Sequence, residues 1–575
     1  MNPIIKSLVR DFARQFELPP NLSEDDQFEY FSAFCVLNAE RLDQGDFRDA
    51  LTDKGEEGID FIAIIANGIL ITDVKDLEEL AEASPSLSVT YVFGQSKSSE
   101  DWDGGGVLKF TNAVTGFFSS QDIGTSEVLD NARDIHSAVI SYAPRLIENP
   151  QLRAYFIGTG PAVNAKGAEK YLQQMRPKLQ QLGIFSDVRA DLLGGSEMQH
   201  LYRAATTAAS ATIEFASRVT LPPIQGVDQA YLGLLPAREL LTLLTDSKSG
   251  EIRKSVFEDN VRDFQGPNAP ANRGMRETIR SSQKARFSVL NNGITIIVRA
   301  LRIIGNSFTL SDYQIVNGAQ TSHVLFENRD QLTESAQVFI PTRLIQTTDE
   351  DLITQVVTAT NSQTQIQADQ LNARALAERN VEKFFAGTEA PRNLLYERRS
   401  RQYDNQADVV KARVIDRYTL LRAMAASFTD EPHLATGYPG QLVSRLRSTA
   451  DEGGKRGFFS DSDEPALYYA AATAHYRLDL FLKTQRLDAK YKPARWHLLM
   501  IARHLELGAT NPDFSSKKAR KWIQPYVDTL WDDTKSIKLF HRATEIIDGT
   551  DITLKRANLR NATVTTTLLQ NTESI

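Results

Sequence analysis

Asp60, Gln95 and Lys97 are the side chains whose types and spacing could do chemistry together. Asp60 opens an apolar run, Gly58-Ile59-Asp60-Phe61-Ile62-Ala63-Ile64-Ile65; Gln95 and Lys97 close another, Val89-Thr90-Tyr91-Val92-Phe93-Gly94-Gln95-Ser96-Lys97. In a strand, residues i and i+2 share a face, so Gln95 and Lys97 point one way and Ser96 the other. If the two runs pair, the three residues converge at one end of a sheet. Phosphodiester cleavage asks for such a set: a Lewis acid to offset charge on the phosphate, and a positioned water. Asp60 offers a carboxylate to magnesium, which takes oxygen ligands and keeps several waters. The Gln95 amide oxygen and the Ser96 carbonyl can add to it, and Lys97 can steer the water and stabilise a pentavalent phosphate. The alternative is a structural ion pair between Asp60 and Lys97 at a strand end.

The elements that must position these residues follow from periodicity. Residues 24 to 42 carry an apolar stripe at helical spacing, with Phe28, Phe31, Phe34 or Cys35 and Leu42. A polar loop leads to Gly58. Asn67-Gly68, set between two apolar runs, predicts a tight hairpin over 60 to 72. A short acidic helix (77 to 83) precedes the second strand. Trp102-Asp103-Gly104-Gly105-Gly106 reads as a flexible break. Helices at 107 to 118, 127 to 147 and 165 to 182 and strands at 152 to 158 and 184 to 190 complete an α/β pattern, one mixed sheet flanked by helices.

This arrangement resembles the PD-(D/E)xK restriction-endonuclease-like superfamily, in the branch where Gln replaces the second acid. The resemblance covers roughly residues 24 to 160 and rests on Gly58-Ile59-Asp60, on Gln95-Ser96-Lys97 and on the order of elements. It implies an endonuclease using Mg2+ or Mn2+, with DNA as the preferred substrate. It also implies a glutamate from the first helix as a further metal ligand: Glu29, with Glu40 in reserve. The Gln leaves the number of tightly held metals open.

Bulk properties narrow the field. The chain has 575 residues, a formal charge of -8, a pI near 5.7 and a single cysteine, Cys35, so three or four domains are expected and no intrachain disulfide can form. Cys35, on the apolar stripe, reads as core. The eight histidines show no zinc-hydrolase spacing, and no Gly-x4-Gly-Lys-Ser/Thr phosphate loop occurs. With no apolar run of membrane-spanning length and no signal-peptide core, a cytoplasmic protein is the expectation. Residues 1 to 90 hold 19 Asp/Glu against 7 Lys/Arg, and residues 392 to 422 hold 8 Lys/Arg against 4 Asp/Glu. That unevenness suits an enzyme that gathers cations at one place and grips a polyanion at another, although solvated helical faces would look the same.

A second α/β unit begins after Pro222-Pro223. Residues 230 to 245 read as helix, followed by a polar stretch to 273. Strands at 287 to 298, 308 to 316 and 337 to 346 alternate with helices after Gly318 and at 349 to 360. Beyond about 365 the pattern is helical, and the last 25 residues read as a polar tail. The expected domains are 1 to 222, 223 to 430 and a helical 431 to 575.

Four motifs stand in order through the middle. They are Phe257-Glu258-Asp259-Asn260-Val261-Arg262-Asp263-Phe264-Gln265-Gly266, Phe287-Ser288-Val289-Leu290-Asn291-Asn292-Gly293-Ile294-Thr295, Gln314-Ile315-Val316-Asn317-Gly318-Ala319-Gln320-Thr321 and Ala359-Thr360-Asn361-Ser362-Gln363. With Tyr396-Glu397-Arg398-Arg399 they closely resemble the AIPR family, named for abortive infection and phage resistance, whose members often carry an N-terminal nuclease domain. The resemblance implies anti-phage defence. The stretch from Ile315 is also loosely similar to the nucleotide-binding core of ParB-like proteins, which makes Asn317, Gly318, Gln320 and Asn361 candidate ligand contacts; Gln320 and Thr321 stand where that core has its arginine pair. The alternative is that these side chains cap loops and satisfy buried backbone groups.

Arg392, Arg398, Arg399, Arg401, Lys411, Arg413 and Arg417, interleaved with Tyr396, Tyr403 and Tyr418, form a candidate surface for a nucleic-acid backbone. Lys517-Lys518-Ala519-Arg520-Lys521-Trp522 forms another. Either could equally serve as a solvated face or a dimer interface. The leading expectation is a metal-dependent endonuclease restrained by its helical region. Its rivals are a nucleic-acid or nucleotide sensor and an assembly scaffold for a partner enzyme.

Overall fold

Phe61–Ala66 is buried at every position, which calls for a strand covered on both faces. In a computed structural model of the chain it is β1, followed by β2 (Ile69–Ile71), β3 (Val89–Ser96), β4 (Gln151–Ile157) and β5 (Asp187–Leu193). The sheet order is β2-β1-β3-β4-β5; β1 runs antiparallel to β2 and β3, and β3, β4 and β5 run parallel. The structure describes residues 1–40, 42, 45–52, 58–84, 86–119, 127–207, 209–246, 250, 252–257, 270–332, 337–361, 368–398, 402–403, 406, 409–437, 440–447 and 457–573.

Alternation along the strands sorts side chains between two cores. Ile62, Ile64, Tyr91, Phe93 and Phe156 pack with the helices Gly104–Phe118, Glu127–Ser141 and Lys166–Gln180. Phe61, Ala63, Ile65 and Val92 pack with the helices Pro3–Gln15 and Glu24–Ala39. Asn67 and Gly68 make the expected hairpin turn, both with positive φ. The glycines read as a flexible break instead begin a helix, because Asp103 accepts hydrogen bonds from the amides of Gly105 and Gly106, both at 2.9 Å.

The chain divides into two compact units, Thr206–Ile366 and the remainder, Met1–Ala205 with Gln367–Ile575. The first of these holds a six-stranded sheet of β6 (Ser210–Glu214), β7 (Ser217–Thr220), β8 (Gln229–Pro236), β9 (Ile294–Ile304), β10 (Ser307–Asn317) and β11 (Phe339–Gln346). Its order is β6-β10-β9-β11-β8-β7, parallel only between β9 and β11. Residues 230 to 236, expected as helix, are strand: Tyr231 and Leu235 bury one face at period two, and Pro236 delays the helix to Ala237–Leu244. Pro222-Pro223 lies in the connection between β7 and β8, closed by the Leu221 amide on the Ala230 carbonyl at 2.8 Å, so it is a loop within the unit and not its border.

The residues from 368 on are helical apart from a parallel pair, β12 (Leu395–Glu397) and β13 (Val414–Asp416). Leu421, Met424, Tyr468, Leu498, Tyr526 and Phe540 belong to one buried core. The helix Arg417–Phe428 packs within that core, so no border falls at 430. The expected tail contains a helix, Ala562–Glu573, whose Leu568 and Thr565 are buried. This region and the N-terminal sheet form one unit, joined by charged pairs such as Arg413 with Glu17 (3.1 Å) and Arg560 with Asp76. No helix among the described residues is long and apolar enough to cross a membrane.

Candidate metal centre

The register Phe61 to Gly94 brings the start of β1 beside the end of β3, so Asp60, Gln95 and Lys97 meet at one end of the sheet. Two glycines permit this. Gly58, at φ +92, lies where a Cβ would come within 3.2 Å of the Lys109 backbone, so the helix Gly104–Phe118 can close against the chain just before Asp60. Gly94 leaves room for the Phe61 ring: a Cβ there would stand 1.9 Å from Cζ.

The ladder departs from regular pairing at this end. The Asp60 amide donates to the Gly94 carbonyl at 2.9 Å, the residue that Phe61 already faces. The Asp60 carboxylate turns to Ser96, whose amide and hydroxyl both donate to Oδ2, at 2.7 and 3.0 Å. This corrects the expectation that Ser96 turns its side chain away. Ser96 orients the acid, and Asp60 Oδ1 has no hydrogen bond among the described residues. From the other side, Thr52 holds the same backbone: its amide donates to the Asp60 carbonyl at 2.9 Å and its hydroxyl to the Ile59 carbonyl at 2.6 Å.

Burial pushes the Asp60 carboxyl above its ordinary range, against the opposing pull of the Ser96 donors and the Lys97 ammonium. Gln95 is 5% exposed, and its Oε1 accepts no hydrogen bond among the described residues. A buried, unsatisfied amide oxygen is costly unless something occupies it. Lys97 is exposed, and its amide continues the sheet by donating to the Ile157 carbonyl at 2.8 Å.

The donors here are oxygens, which fits a hard divalent cation such as Mg2+ or Mn2+. Among the described residues no three His, Cys, Asp or Glu side chains stand together as a metal site, so a cation at Asp60 would lean on the Gln95 amide and on water. Glu29 lies half-buried in the helix Glu24–Ala39, and the side chain of Asp25, one turn earlier, accepts a hydrogen bond from the Ser98 hydroxyl just beyond β3. Glu40, the reserve, is committed elsewhere: it accepts from the Tyr155 hydroxyl at 2.5 Å and faces Arg153 at 3.8 Å. Cys35 is fully buried, as expected of core.

The asparagine motifs do structural work where they are described. The Asn317 amide donates to the Thr360 carbonyl, tying β10 to the helix Glu350–Asn361. Gly318, at φ +102, starts the next helix where a Cβ would meet Ile294 at 2.4 Å. Gln320 accepts from Asn272 at 2.8 Å, and Asn291 joins Thr321 at 3.0 Å and the Gly293 amide at 2.8 Å. Residues 258 to 266 and 362 to 363 lie outside the described residues, as does the side chain of Asn361.

Most of the first basic cluster is engaged within the fold. Arg398 is 5% exposed and bonded to Glu382 at 3.0 Å, which corrects its assignment to an open surface. Arg417 reaches Glu378 at 2.9 Å, Arg413 reaches Glu17 at 3.1 Å, and Lys411 donates to the Tyr403 carbonyl. Arg392 pairs with Asp528 at 2.7 Å but stays half open. Arg399 and Arg401 lie outside the described residues. The second cluster differs: Lys517, Lys518, Arg520 and Lys521 are all exposed, in the first turns of the helix Lys517–Trp531.

Among known proteins, no curated protein and no solved structure matches this chain. The family model described as AIPR protein matches residues 257–556, more than half of the chain, and takes in the four motif positions together with most of the helical core. The chain belongs to the AIPR family.

Proposed function

We propose that the chain is a metal-dependent phosphodiesterase, an endonuclease acting on DNA, that serves anti-phage defence, the role to which AIPR membership points. The observation that carries the proposal is the meeting of Asp60, the buried and unsatisfied Gln95 oxygen and the exposed Lys97 at one sheet end. The mixed sheet with helices on both faces supports a restriction-endonuclease-like fold for the N-terminal part.

Asp60 and Gln95 would hold Mg2+ or Mn2+, with Glu29 as a further ligand from its helix. When bound, the cation supplies Lewis acidity toward a phosphate oxygen. Ser96 keeps the carboxylate of Asp60 in one orientation, so little reorganisation is needed on binding. Lys97 meets the negative charge that builds on the phosphate and holds the attacking water by hydrogen bonding. Lys517, Lys518, Arg520 and Lys521 are the better candidates for gripping the backbone. Four cations at a helix start work against the macrodipole, a cost that phosphate contact would offset.

The absence of a three-acid cluster among the described residues favours a second reading, a domain that grips DNA without cutting it. Purified protein incubated with plasmid DNA, single-stranded DNA and RNA, in Mg2+, Mn2+ or EDTA, separates the two. Cutting of DNA that EDTA abolishes is expected. Gel shifts without cutting in either metal would favour the second reading, and neither cutting nor binding would overturn both.

A further inference from the structure

The turn that delivers the chain to Asp60 is gripped by the helical region. Phe47–Ala50 forms a short turn capped by Asp46, and directly after it Leu51 bridges Phe61 while Thr52 holds the backbone of Ile59 and Asp60. Arg48 lies between two carboxylates. Its Nε reaches Asp46 at 2.7 and 2.9 Å, and its terminal nitrogens reach Asp479 at 3.1 and 3.2 Å. The residue after Arg48 completes the grip: Asp49 faces Lys492 at 3.0 Å and Arg495 at 3.2 Å. The side chains of Arg48, Asp49 and Arg495 are only 14 to 18% exposed.

Burial alone would oppose ionisation of Asp479 and Asp49, yet the facing cations hold both carboxyls well below their ordinary range. Charged groups buried this way are costly to leave unpaired, so they move together or not at all. Asp479, Lys492 and Arg495 all fall within the family match, whereas Asp46, Arg48 and Asp49 lie in the segment that leads to the candidate centre.

We propose that this ion cluster of Asp46, Arg48, Asp49, Asp479, Lys492 and Arg495, with Lys483 also on Asp479 at 2.9 Å, is a latch through which the AIPR helical region positions Asp60. With the latch formed, the Leu51–Thr52 segment is pinned and the Asp60 carboxylate stays on Ser96. With it broken, the segment loosens and the acid loses its fixed orientation. Arg48 and Asp49 are thus positioning residues, acting through Thr52 and not on substrate. Phe47 anchors the same turn independently, against Phe12 and Phe34 with ring centroids 6.2 and 5.7 Å away, so opening the latch does not require unfolding.

The proposal's functional meaning rests on Asp60 being the metal ligand, but its mechanical core can be read without metal. The Ser96 amide is protected by Asp60 itself, so its hydrogen exchange reports where the carboxylate sits. In the full-length metal-free protein, Asp479→Asn and, separately, Lys492→Gln are expected to raise exchange of the Ser96 and Thr52 amides by ~10-fold, as local opening would. The amides of β5 should be unchanged. A purely structural cluster would raise exchange broadly or leave Ser96 as it was, and either result overturns the latch. In a parallel titration with Mn2+ alone, Asp479→Asn should weaken binding by ~10-fold; wild-type protein that binds no Mn2+ would overturn the metal-centre reading while leaving the exchange result to judge the latch.

Discussion

Gly94→Ala is expected to destabilise the N-terminal sheet by ~3 kcal/mol, the upper end of the range for overpacking a filled core. The added methyl would stand 1.9 Å from the Phe61 ring, which is fully buried between β1 and the helices Pro3–Gln15 and Glu24–Ala39. The ring cannot swing aside without displacing that core, so β1 would shift against β3 at the point where Asp60 meets Ser96. The contact is specific, which gives a control. Phe61→Leu costs stability alone but makes room, so the double variant should lose less than the two single variants summed. Denaturant midpoints of the four proteins test this; strict additivity would show that the ring does not press on Gly94.

Lowering the pH from 7 to 5 is expected to destabilise the helical core by ~4 kcal/mol, ~2 kcal/mol from each of two histidines at 1.36 kcal/mol per unit. His497 is fully buried, and burial, with a smaller effect of His433, pushes its imidazolium down to about 3. His475 stacks on Trp496 with ring centroids 5.2 Å apart, and burial, partly offset by Asp479, pushes it down to about 4. Both folded values lie below the unfolded value of ~6.5, so the unfolded chain takes up protons first. The stabilisation is therefore complete above ~6.5 and is lost as pH falls toward the folded values. Asp479 and Asp49 behave differently: held below the ordinary carboxylate range, they keep their contribution until pH falls under ~4. Melting curves at pH 7 and 5 should show the loss, and His497→Leu should remove about half of it. A wild-type melting temperature that does not change between these pH values would contradict the assignment.

The parts of the fold legible in the sequence are those written as local pattern. β1 and β3 are apolar at consecutive positions because helices cover both faces, and Asn67-Gly68 marks the hairpin of β1 with β2. Asp60, Gln95 and Lys97 could be picked out because each ends such a run. What escaped depends on neighbours distant in sequence or on one capping bond. Asp103 turned three glycines into a helix start, and Pro236 converted an expected helix into a strand followed by a helix. Ser96 as the partner of Asp60 follows from a one-residue offset at a strand end, which alternation does not record. Arg398 looked like surface because arginines usually are, but Glu382 lets it be buried. The union of the first 205 residues with the last 209 or so rests on pairs such as Arg48 with Asp479 and Arg560 with Asp76, which no periodicity reveals.

The central claim is that Asp60 and Lys97 carry metal-dependent cleavage. The direct measurement is the rate of plasmid DNA cutting in Mg2+ by wild type, Asp60→Asn and Lys97→Met, each checked by melting temperature. Asn keeps an acceptor for Ser96 and sheds a carboxylate that burial disfavours, so Asp60→Asn should melt no lower than wild type in the absence of metal. Lys97 is exposed, so Lys97→Met should also fold normally. Both variants are expected to cut no faster than wild type in EDTA. Variants that fold and cut at the wild-type rate would contradict the account.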